Sequence, residues 1–581
     1  MIAVCLFVAL TVARVLAMWG RSIDASLWTP VALIWQDLVV AVAFWALTRV
    51  ISSTGARVLY WVLVAYAAIT VPIERALSSP LTMTMVRATS GTISDSIGHY
   101  VTFANIACVA LVLIAGSAAP IALARVRPAF SRRSTIALLT TCASIVAVGP
   151  LASARADTAG FDRNPVLALA RSALPRVIGA SEVRSQTDWA VSPFGASPAE
   201  DLSRLRGAAA GRSVLFIVLE STAARYLRTH GATEDPTPNL TALGDSALVF
   251  EHAYTSYPES VKGMVAYLAS RYPAFDVSAE MHANAVAPSL ATILGASGYS
   301  TALVHSGRFM YLGMDALLAR SGFATLADAG DIGGNHNSSF GVDERSAVDA
   351  LFRWMDAQPR GKPFFAAYLP IAGHHPYLTG TPGPWRGDTD IDRYRNALHE
   401  GDEAIGWLIG GLRARGLDRS TLVVIFGDHG EAFGQHEGNF AHTLALYDEN
   451  VRVPLMFVLP AGGRVTGRVN RTASLVDVAP TVLDLMGLDS PHSFQGASLL
   501  APEQRMALFF TDYSLGLLGL RDGCTKYIYE MESGRSRMFD LCRDPDERVD
   551  ISSRSRNRAA QYRERLERWS AAQVGLVNPA R

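Results

Sequence analysis

Lysine is almost missing from this 581-residue chain: Lys262, Lys362 and Lys526 are the only three, and arginine carries nearly all the positive charge. The 52 basic side chains meet 52 acidic ones, so the formal charge is +0 and no basic excess marks a nucleic-acid binder. Charged residues make up 18% of the chain, against roughly 25% in ordinary soluble domains, which excludes a disordered polyelectrolyte. Cysteine occurs five times. Cys5, Cys108 and Cys142 fall in apolar stretches, where a thiol is an ordinary small hydrophobe, and the spacing of Cys524 and Cys542 matches no zinc knuckle. That last pair either closes a disulfide in an oxidising compartment or remains as two thiols.

What the chain has in excess is apolar sequence: half its residues are hydrophobic and the mean hydropathy is +0.20. The excess lies before residue 155. Five stretches there approach the roughly 20 residues that a bilayer crossing needs: Ile2 to Met18, Leu27 to Leu47, Val58 to Ile73, Val101 to Ala124 and Ile136 to Ala152. The first has the length of a cleaved signal peptide, but the apolar segments behind it favour a five-helix multi-pass anchor. Arg14 inside it either faces the bundle or snorkels to an interface. Arg49 and Arg57 mark one loop, and Arg125, Arg127, Arg132 and Arg133 another; elsewhere Arg21 is offset by Asp24, and Arg75 and Arg87 by Glu74 and Asp95. The positive-inside rule then puts the Arg-rich loops in the cytoplasm and everything after Ala152 outside it, as in a multi-pass protein of the cell (inner) membrane.

Residues 155–212 read as a linker, rich in Ala, Arg, Ser and Pro. Within it Asn164-Pro165 has the form of a helix start, giving either an interfacial helix on the membrane or a linker helix packed on the soluble domain. From Ser213 onward short β-branched runs alternate with amphipathic segments: Val214 to Leu219, Ser300 to Val304, Phe364 to Leu369, Leu422 to Phe426 and Leu455 to Val458, with a helical pattern from Tyr394 to Arg415. This alternation predicts an α/β fold with a largely parallel sheet covered on both faces, and sites at the carboxyl ends of its strands. Those ends carry chemistry. Val214 to Leu219 leads into Glu220-Ser221, Phe364 to Leu369 into His374-His375, and Leu422 to Phe426 into Gly427-Asp-His-Gly-Glu431, where the glycines are expected to let the chain turn sharply. Carboxylate, hydroxyl, imidazole and a second carboxylate at strand ends of one domain point to a metal-activated nucleophile.

The order of Val214-Leu-Phe-Ile-Val-Leu-Glu-Ser221, Thr237-Pro-Asn-Leu240, Arg271-Tyr-Pro273, Asp428-His-Gly-Glu431 with His436, Tyr447 to Leu455 and Leu475-Val-Asp-Val-Ala-Pro-Thr481 resembles the sulfatase-like branch of the alkaline phosphatase superfamily. The resemblance spans most of 213–550. It implies an αβα catalytic domain over 213–510 behind a transmembrane bundle at 1–154. It further implies a small antiparallel subdomain over 511–581, with Cys524 and Cys542 flanking its hairpin and a final helix from about Arg554 to Ala572.

Two departures from sulfatases bear on function. The paired aspartates that open those enzymes are replaced by Glu220-Ser221, and the Cys/Ser-x-Pro-x-Arg signature that becomes formylglycine is replaced by Ser260-Val-Lys-Gly-Met264. Counting back from Arg271-Tyr-Pro273 puts Ser260 at the nucleophile position, and an unmodified serine suits phosphoryl transfer better than sulfuryl chemistry. With a membrane anchor, the pattern is similar to lipoteichoic acid synthases and to phosphoglycerol and phosphoethanolamine transferases. The resemblance implies that Glu220, Asp428, His429 and the Ser260 hydroxyl bind one divalent ion: manganese, zinc or magnesium, or calcium in a sulfatase. His374 would contact phosphate or protonate the leaving alkoxide, Lys262 would stabilise the serine alkoxide or the phosphate, and His442 would meet a cationic substrate group. His375 and His436 are supporting candidates. The Trp-Asn-Arg element of lipoteichoic acid synthases is absent from Val304-His-Ser-Gly-Arg-Phe-Met-Tyr311, where Arg308 or Tyr311 stands in its place. The expected partners are a phospholipid donor, an envelope glycan or lipid acceptor and the membrane, with no nucleic acid. A membrane-bound hydrolase of sulfuric esters or phosphodiesters, and a degenerate envelope scaffold, are the rival readings.

Overall fold

Apolar runs that cannot hydrogen-bond to lipid must satisfy their backbone within a helix, and each expected crossing does so. The helices are Ile2–Met18, Thr29–Leu47, Ser53–Leu77, Phe103–Val126 and Arg132–Arg155. The computed structural model describes residues 1–23, 25–88, 98, 100–126, 132–174, 189–195, 199–284, 288–335, 340–460, 465–514 and 516–577. Asp24, Asp95 and Arg127 of the charge pattern, and 175–188 and 196–198 of the expected linker, lie outside these. Among the described residues four helices, not five, are long and apolar enough to cross a membrane. The exception is Ile2–Met18, whose 17 residues give it a length of only about 26 Å.

Arg14 on that short helix faces the bundle. Its guanidinium pairs with Asp37 at 2.6 Å, both buried, and also donates to the carbonyls of Phe161 and Arg163. The helix Pro165–Ser172 begins where expected, with the Asn164 side chain accepting from the amides of Val166 and Leu167. Asn164 Nδ2 donates to Asp37 at 2.7 Å, and Val166 and Leu167 pack on the bundle core. This helix therefore packs on the surface of the bundle.

The half after residue 212 is built on one mixed sheet. Its strands are β1 (Ser213–Leu219), β2 (Leu248–Tyr254), β3 (Ser300–His305), β4 (Thr325–Ala327), β5 (Phe364–Leu369) and β6 (Thr421–Gly427). After the short β7 (Ala432–Phe433), β8 (Phe440–Ala441) and β9 (Arg452–Val453) come β10 (Leu455–Val458) and β11 (Gly467–Ser474). The order is β11-β2-β10-β6-β1-β5-β3-β4. From β6 to β4 all pairings are parallel, whereas β10 runs antiparallel to both β6 and β2. Successive side chains of a strand point to opposite faces, and β1 uses both. Val214, Phe216 and Val218 enter one core, and Leu215, Ile217 and Leu219 the other.

The C-terminal part is a four-stranded antiparallel sheet, β12 (Ala507–Thr511), β13 (Leu517–Asp522), β14 (Thr525–Glu530) and β15 (Ser536–Asp540), followed by the helix Arg556–Val577. Cys524 and Cys542 are joined as a disulfide across the β14–β15 hairpin. The sheet is stitched to the mixed one by Phe510, whose amide donates to Ser256 at 3.1 Å. The turn after β12 reaches the membrane helices. There Thr82 Oγ1 donates to the Tyr513 carbonyl at 3.0 Å, and Arg163 Nη1 to Ser514 Oγ at 2.7 Å. Asp157 adds an ion pair to Arg537 at 2.7 Å.

Candidate active site

The site follows from strand register. β1 and β6 are parallel neighbours with Leu219 beside Gly427, so the next residue of each, Glu220 and Asp428, leaves the sheet at the same level. The Asp428 amide donates to the Leu219 carbonyl at 3.1 Å, continuing the ladder one step past the strands. Ser221 then takes a left-handed backbone, φ 52°, and its amide donates to Asp428 Oδ1 at 3.0 Å. The glycines after β6 serve close approach, not the sharp turn expected of them. Neither has a positive φ, and a Cβ at Gly430 would collide with the Glu449 carbonyl.

Ser260 is the first residue of the helix Ser260–Ala269, whose cap is the Glu259 carboxylate, accepting from the amides of Val261 and Lys262. Its hydroxyl therefore sits at the positive end of a helix dipole, where developing negative charge is favoured. Ser260 Oγ donates to Glu220 Oε2 at 3.0 Å and lies 3.2 Å from His429 Nε2. The other ring nitrogen, His429 Nδ1, lies 3.0 Å from the Gly430 carbonyl. A carbonyl can only accept, so Nδ1 carries a proton, and in the neutral ring the Nε2 lone pair faces the serine and Glu220.

Glu220, Asp428 and His429 are all buried, and one ligand atom from each lies within 4.8 Å of the others. Two buried carboxylates held this close leave an excess of negative charge. Burial and the Glu220 charge push Asp428 up to about 7. Burial works against ionisation of Glu220 too, but His429 and His374 outweigh it and hold the group down to about 2. Burial likewise opposes protonation of His429, and the two carboxylates overcome it and raise its pKa. Two carboxylate ligands, one imidazole with its lone pair inward and one hydroxyl form a donor set that fits a divalent cation.

Glu431 was read as part of the Asp-His-Gly-Glu motif but given no role. It is buried, and burial pushes it up to about 7. It accepts the Tyr377 hydroxyl and pairs with His442 Nδ1 at 2.8 Å. Its partners are 54 and 11 residues away in sequence, so no local pattern could reveal them. The His442 ring lies against that of His429, with centroids 4.2 Å apart and planes tilted by 31°, and burial followed by the His429 charge drives its pKa down. His429, Glu431 and His442 form a second group able to hold a cation.

Above Ser260 a cavity of about 260 Å³ is lined by Glu220, Asp428, His374, Arg308 and Tyr311, among others. Arg308, Tyr311 and His374 are thus brought to the nucleophile. Lys262 is not: its ammonium turns away to Asp512 at 2.5 Å and lies over the Tyr257 ring. The ring of His375 stacks on Tyr100. His436 bonds Glu449 at 2.6 Å and stacks on Tyr447, apart from the cation cluster.

Residues 212–488 match the family model described as Sulfatase. Lipoteichoic acid synthase 2 of Bacillus subtilis is 24% identical over 324 residues, 52% of this chain and 49% of that protein. Arylsulfatase K of Bos taurus is 30% identical over 174 residues, 27% of this chain and 32% of that protein. The chain thus spans about half or less of the length of these curated relatives. Among solved structures, the lipoteichoic acid synthase LtaP from Listeria monocytogenes superposes with TM-score 0.51 at 18% identity, covering 65% of this chain and 96% of that one. A Vibrio parahaemolyticus protein of the alkaline phosphatase superfamily gives 0.52 at 17% identity, covering 64% and 88%. Residues 212–488 therefore resemble a sulfatase domain, and their fold is similar to that of the lipoteichoic acid synthase LtaP and of the Vibrio protein of the alkaline phosphatase superfamily.

Proposed function

We propose that the protein is a membrane-anchored, metal-dependent phosphotransferase that moves a phospholipid head group, phosphoglycerol or phosphoethanolamine, onto an envelope glycan or lipid. The observation that carries this reading is the unmodified Ser260 hydroxyl, 3.0 Å from Glu220 and 3.2 Å from His429 at a helix start, where sulfatases carry a formylglycine signature. Ser260 Oγ gives its proton to Glu220, to which it already donates, and attacks phosphorus in line; the P–O bond to the diacylglycerol breaks, and His374 gives the departing oxygen its proton. An acceptor hydroxyl then displaces the serine. Glu220, Asp428 and His429 would hold a divalent ion, which when bound lowers the pKa of the hydroxyl and shields phosphate charge. Arg308 is the guanidinium available to a non-bridging phosphate oxygen. The four apolar helices support a site held against a membrane, and the arginine pattern of the loops supports its lying outside the cytoplasm.

A hydrolytic use of the same site is the second reading, favoured by the sulfatase match over 212–488. The test incubates the full-length protein and Ser260→Ala with head-group-labelled phosphatidylglycerol, phosphatidylethanolamine and an aryl sulfate, with and without chelator. A head-group phosphate on Ser260, absent from the variant and the chelated sample, is the expected result. Sulfate release without a phospho-adduct refutes the transferase.

A further inference from the structure

His374 and Arg308, the proton donor and the phosphate cation of the reading above, sit on two loops that one buried carboxylate ties together. β3 and β5 are parallel neighbours with His305 beside Leu369, and the Ser306 amide donates to the Leu369 carbonyl at 3.1 Å, one step beyond the strands. The two chains then part. Arg308 follows two residues after Ser306, and His374 three residues after Ile371. Between them stands Glu344, the first residue of the helix Glu344–Asp356 and 5% exposed. That helix is capped by Asp343, which accepts from the Ser346 amide, so it does not need the Glu344 side chain. Glu344 Oε1 accepts the Ser306 hydroxyl at 3.0 Å, the Ile371 amide at 2.8 Å and the Ala372 amide at 2.9 Å. Oε2 accepts the Tyr368 hydroxyl at 2.5 Å. Ser306 Oγ in turn accepts from the Ile371 amide at 2.8 Å, and the Ile371 carbonyl accepts the His374 amide at 2.9 Å. From the opposite side the turn is fixed at Gly373, φ 106°, where a Cβ would lie 2.6 Å from the Glu220 carbonyl oxygen.

We infer that Glu344 is a positioning residue: by holding the amides of Ile371 and Ala372 it aims His374 at the leaving oxygen, and through Ser306 it sets the base of the Arg308 loop. The inference rests on the phosphotransfer reading, in which His374 protonates that oxygen. All four groups that donate to Glu344 are neutral hydroxyls and amides, so among the described residues it is not one arm of an ion pair. A charge buried without a counter-ion burdens the fold, and burial pushes this carboxyl up to about 7 against the hydrogen bonds that hold it down. What the side chain supplies in return is acceptor oxygen for two loop amides and a loop hydroxyl. The Arg308 loop has ties of its own: the Gly307 carbonyl accepts from Ala329 at 2.8 Å, and the Phe309 amide donates to Asp328 at 2.9 Å. Loss of Glu344 therefore falls mainly on the His374 turn.

The test uses the full-length protein in vesicles with manganese and follows the Ser260 adduct by intact mass from two donors that differ in leaving group. The diacylglycerol oxygen of phosphatidylglycerol needs a proton to leave, whereas the nitrophenolate of the p-nitrophenyl ester of glycerol phosphate leaves without one. Glu344→Ala should lower the maximal rate with phosphatidylglycerol by about 100-fold, the effect of a general acid displaced by about 1 Å, with KM within about threefold and the nitrophenyl rate within about fivefold of native. Glu344→Gln keeps an acceptor oxygen for the two amides, and Tyr368→Phe removes a hydrogen bond to the same carboxylate but none of the loop contacts; both should stay within about threefold of native on both donors. Ser306→Ala removes one strut and leaves the carboxylate in place, so it should show the same donor-dependent loss at smaller size, and it reads the brace if Glu344→Ala does not fold. Equal losses on the two donors would make Glu344 a general support of the fold and overturn the proposal. A glutamine variant as slow as the alanine one would make charge the requirement and overturn it too, as would native rates in both Glu344→Ala and Ser306→Ala. An adduct in the native chain with variants indifferent to the leaving group removes this inference alone; no adduct in the native chain from either donor removes the phosphotransfer reading and the inference with it.

Discussion

Replacing Lys262 by methionine separates a structural ammonium from a catalytic one. Lys262 and Asp512 are 6% and 5% exposed and lie 2.5 Å apart. Burial opposes the charge on Asp512, but Lys262 outweighs it and holds the carboxyl below its ordinary range. Removing one partner of a buried pair costs about 3–5 kcal/mol, because the other charge remains without compensation. Asp512 also accepts the Tyr257 hydroxyl at 2.7 Å and the Asp276 amide at 2.7 Å, which it keeps in the variant. The expected loss is accordingly at the lower end, about 3 kcal/mol. Lys262→Met with Asp512→Asn should cost less than the sum of the two single changes. The pair is also pH-sensitive in a defined direction. A carboxyl whose folded pKa is depressed contributes fully above its unfolded value near 4 and loses that contribution as pH falls through the folded one. The acid limb of stability should therefore flatten in Lys262→Met. Thermal unfolding of the detergent-solubilised protein from pH 7 to pH 3 measures the first effect, and the rate of Ser260 adduct formation at a permissive temperature the second. A variant as stable as the native chain but unable to form the adduct would refute the structural assignment and return Lys262 to the phosphate.

Asp428→Asn removes one of two carboxylates from the cation cluster while keeping its shape, and bound divalent metal, read by mass spectrometry of the dialysed protein, should fall from about one ion per chain to well below it. Cys524→Ser opens the disulfide whose partners are 18 residues apart, which should lower stability by about 3 kcal/mol in denaturant titration, the loop-entropy value for a ring of this size. Arg14→Leu leaves Asp37 buried in the bundle without its cation and should destabilise by about 3–5 kcal/mol, whereas Arg14→Leu with Asp37→Leu should recover most of it in the same thermal assay.

The strands that carry the site were legible because they are buried on both faces, so Val214 to Leu219 and Leu422 to Phe426 read as continuous apolar runs. β11, Gly467–Ser474, was not. It pairs with β2 on one side, and its Arg468 and Asn470 are exposed, so its apolar signal is halved. Nothing in Leu-Met-Phe-Val marks β10 as antiparallel, since direction belongs to the path of the chain and not to the residues. The direction of Lys262 was not legible for a simple reason: residues two apart on a helix point about 200° apart, so the ammonium adjoins the nucleophile in sequence and turns to Asp512 in space.

By itself the sequence determined the apolar helices, the buried central strands and the kind of side chain at each strand end, because these depend on local periodicity and residue chemistry. Only the tertiary structure decided which groups meet. Leu219 lies beside Gly427, so Glu220 and Asp428 converge, Glu431 finds Tyr377 and His442, Asp512 takes Lys262, and the turn after β12 meets the membrane segments at Thr82. Those contacts span up to 431 residues of chain, from Thr82 to Tyr513. Strand register and domain docking set them, and neither leaves a signal in any short window of residues.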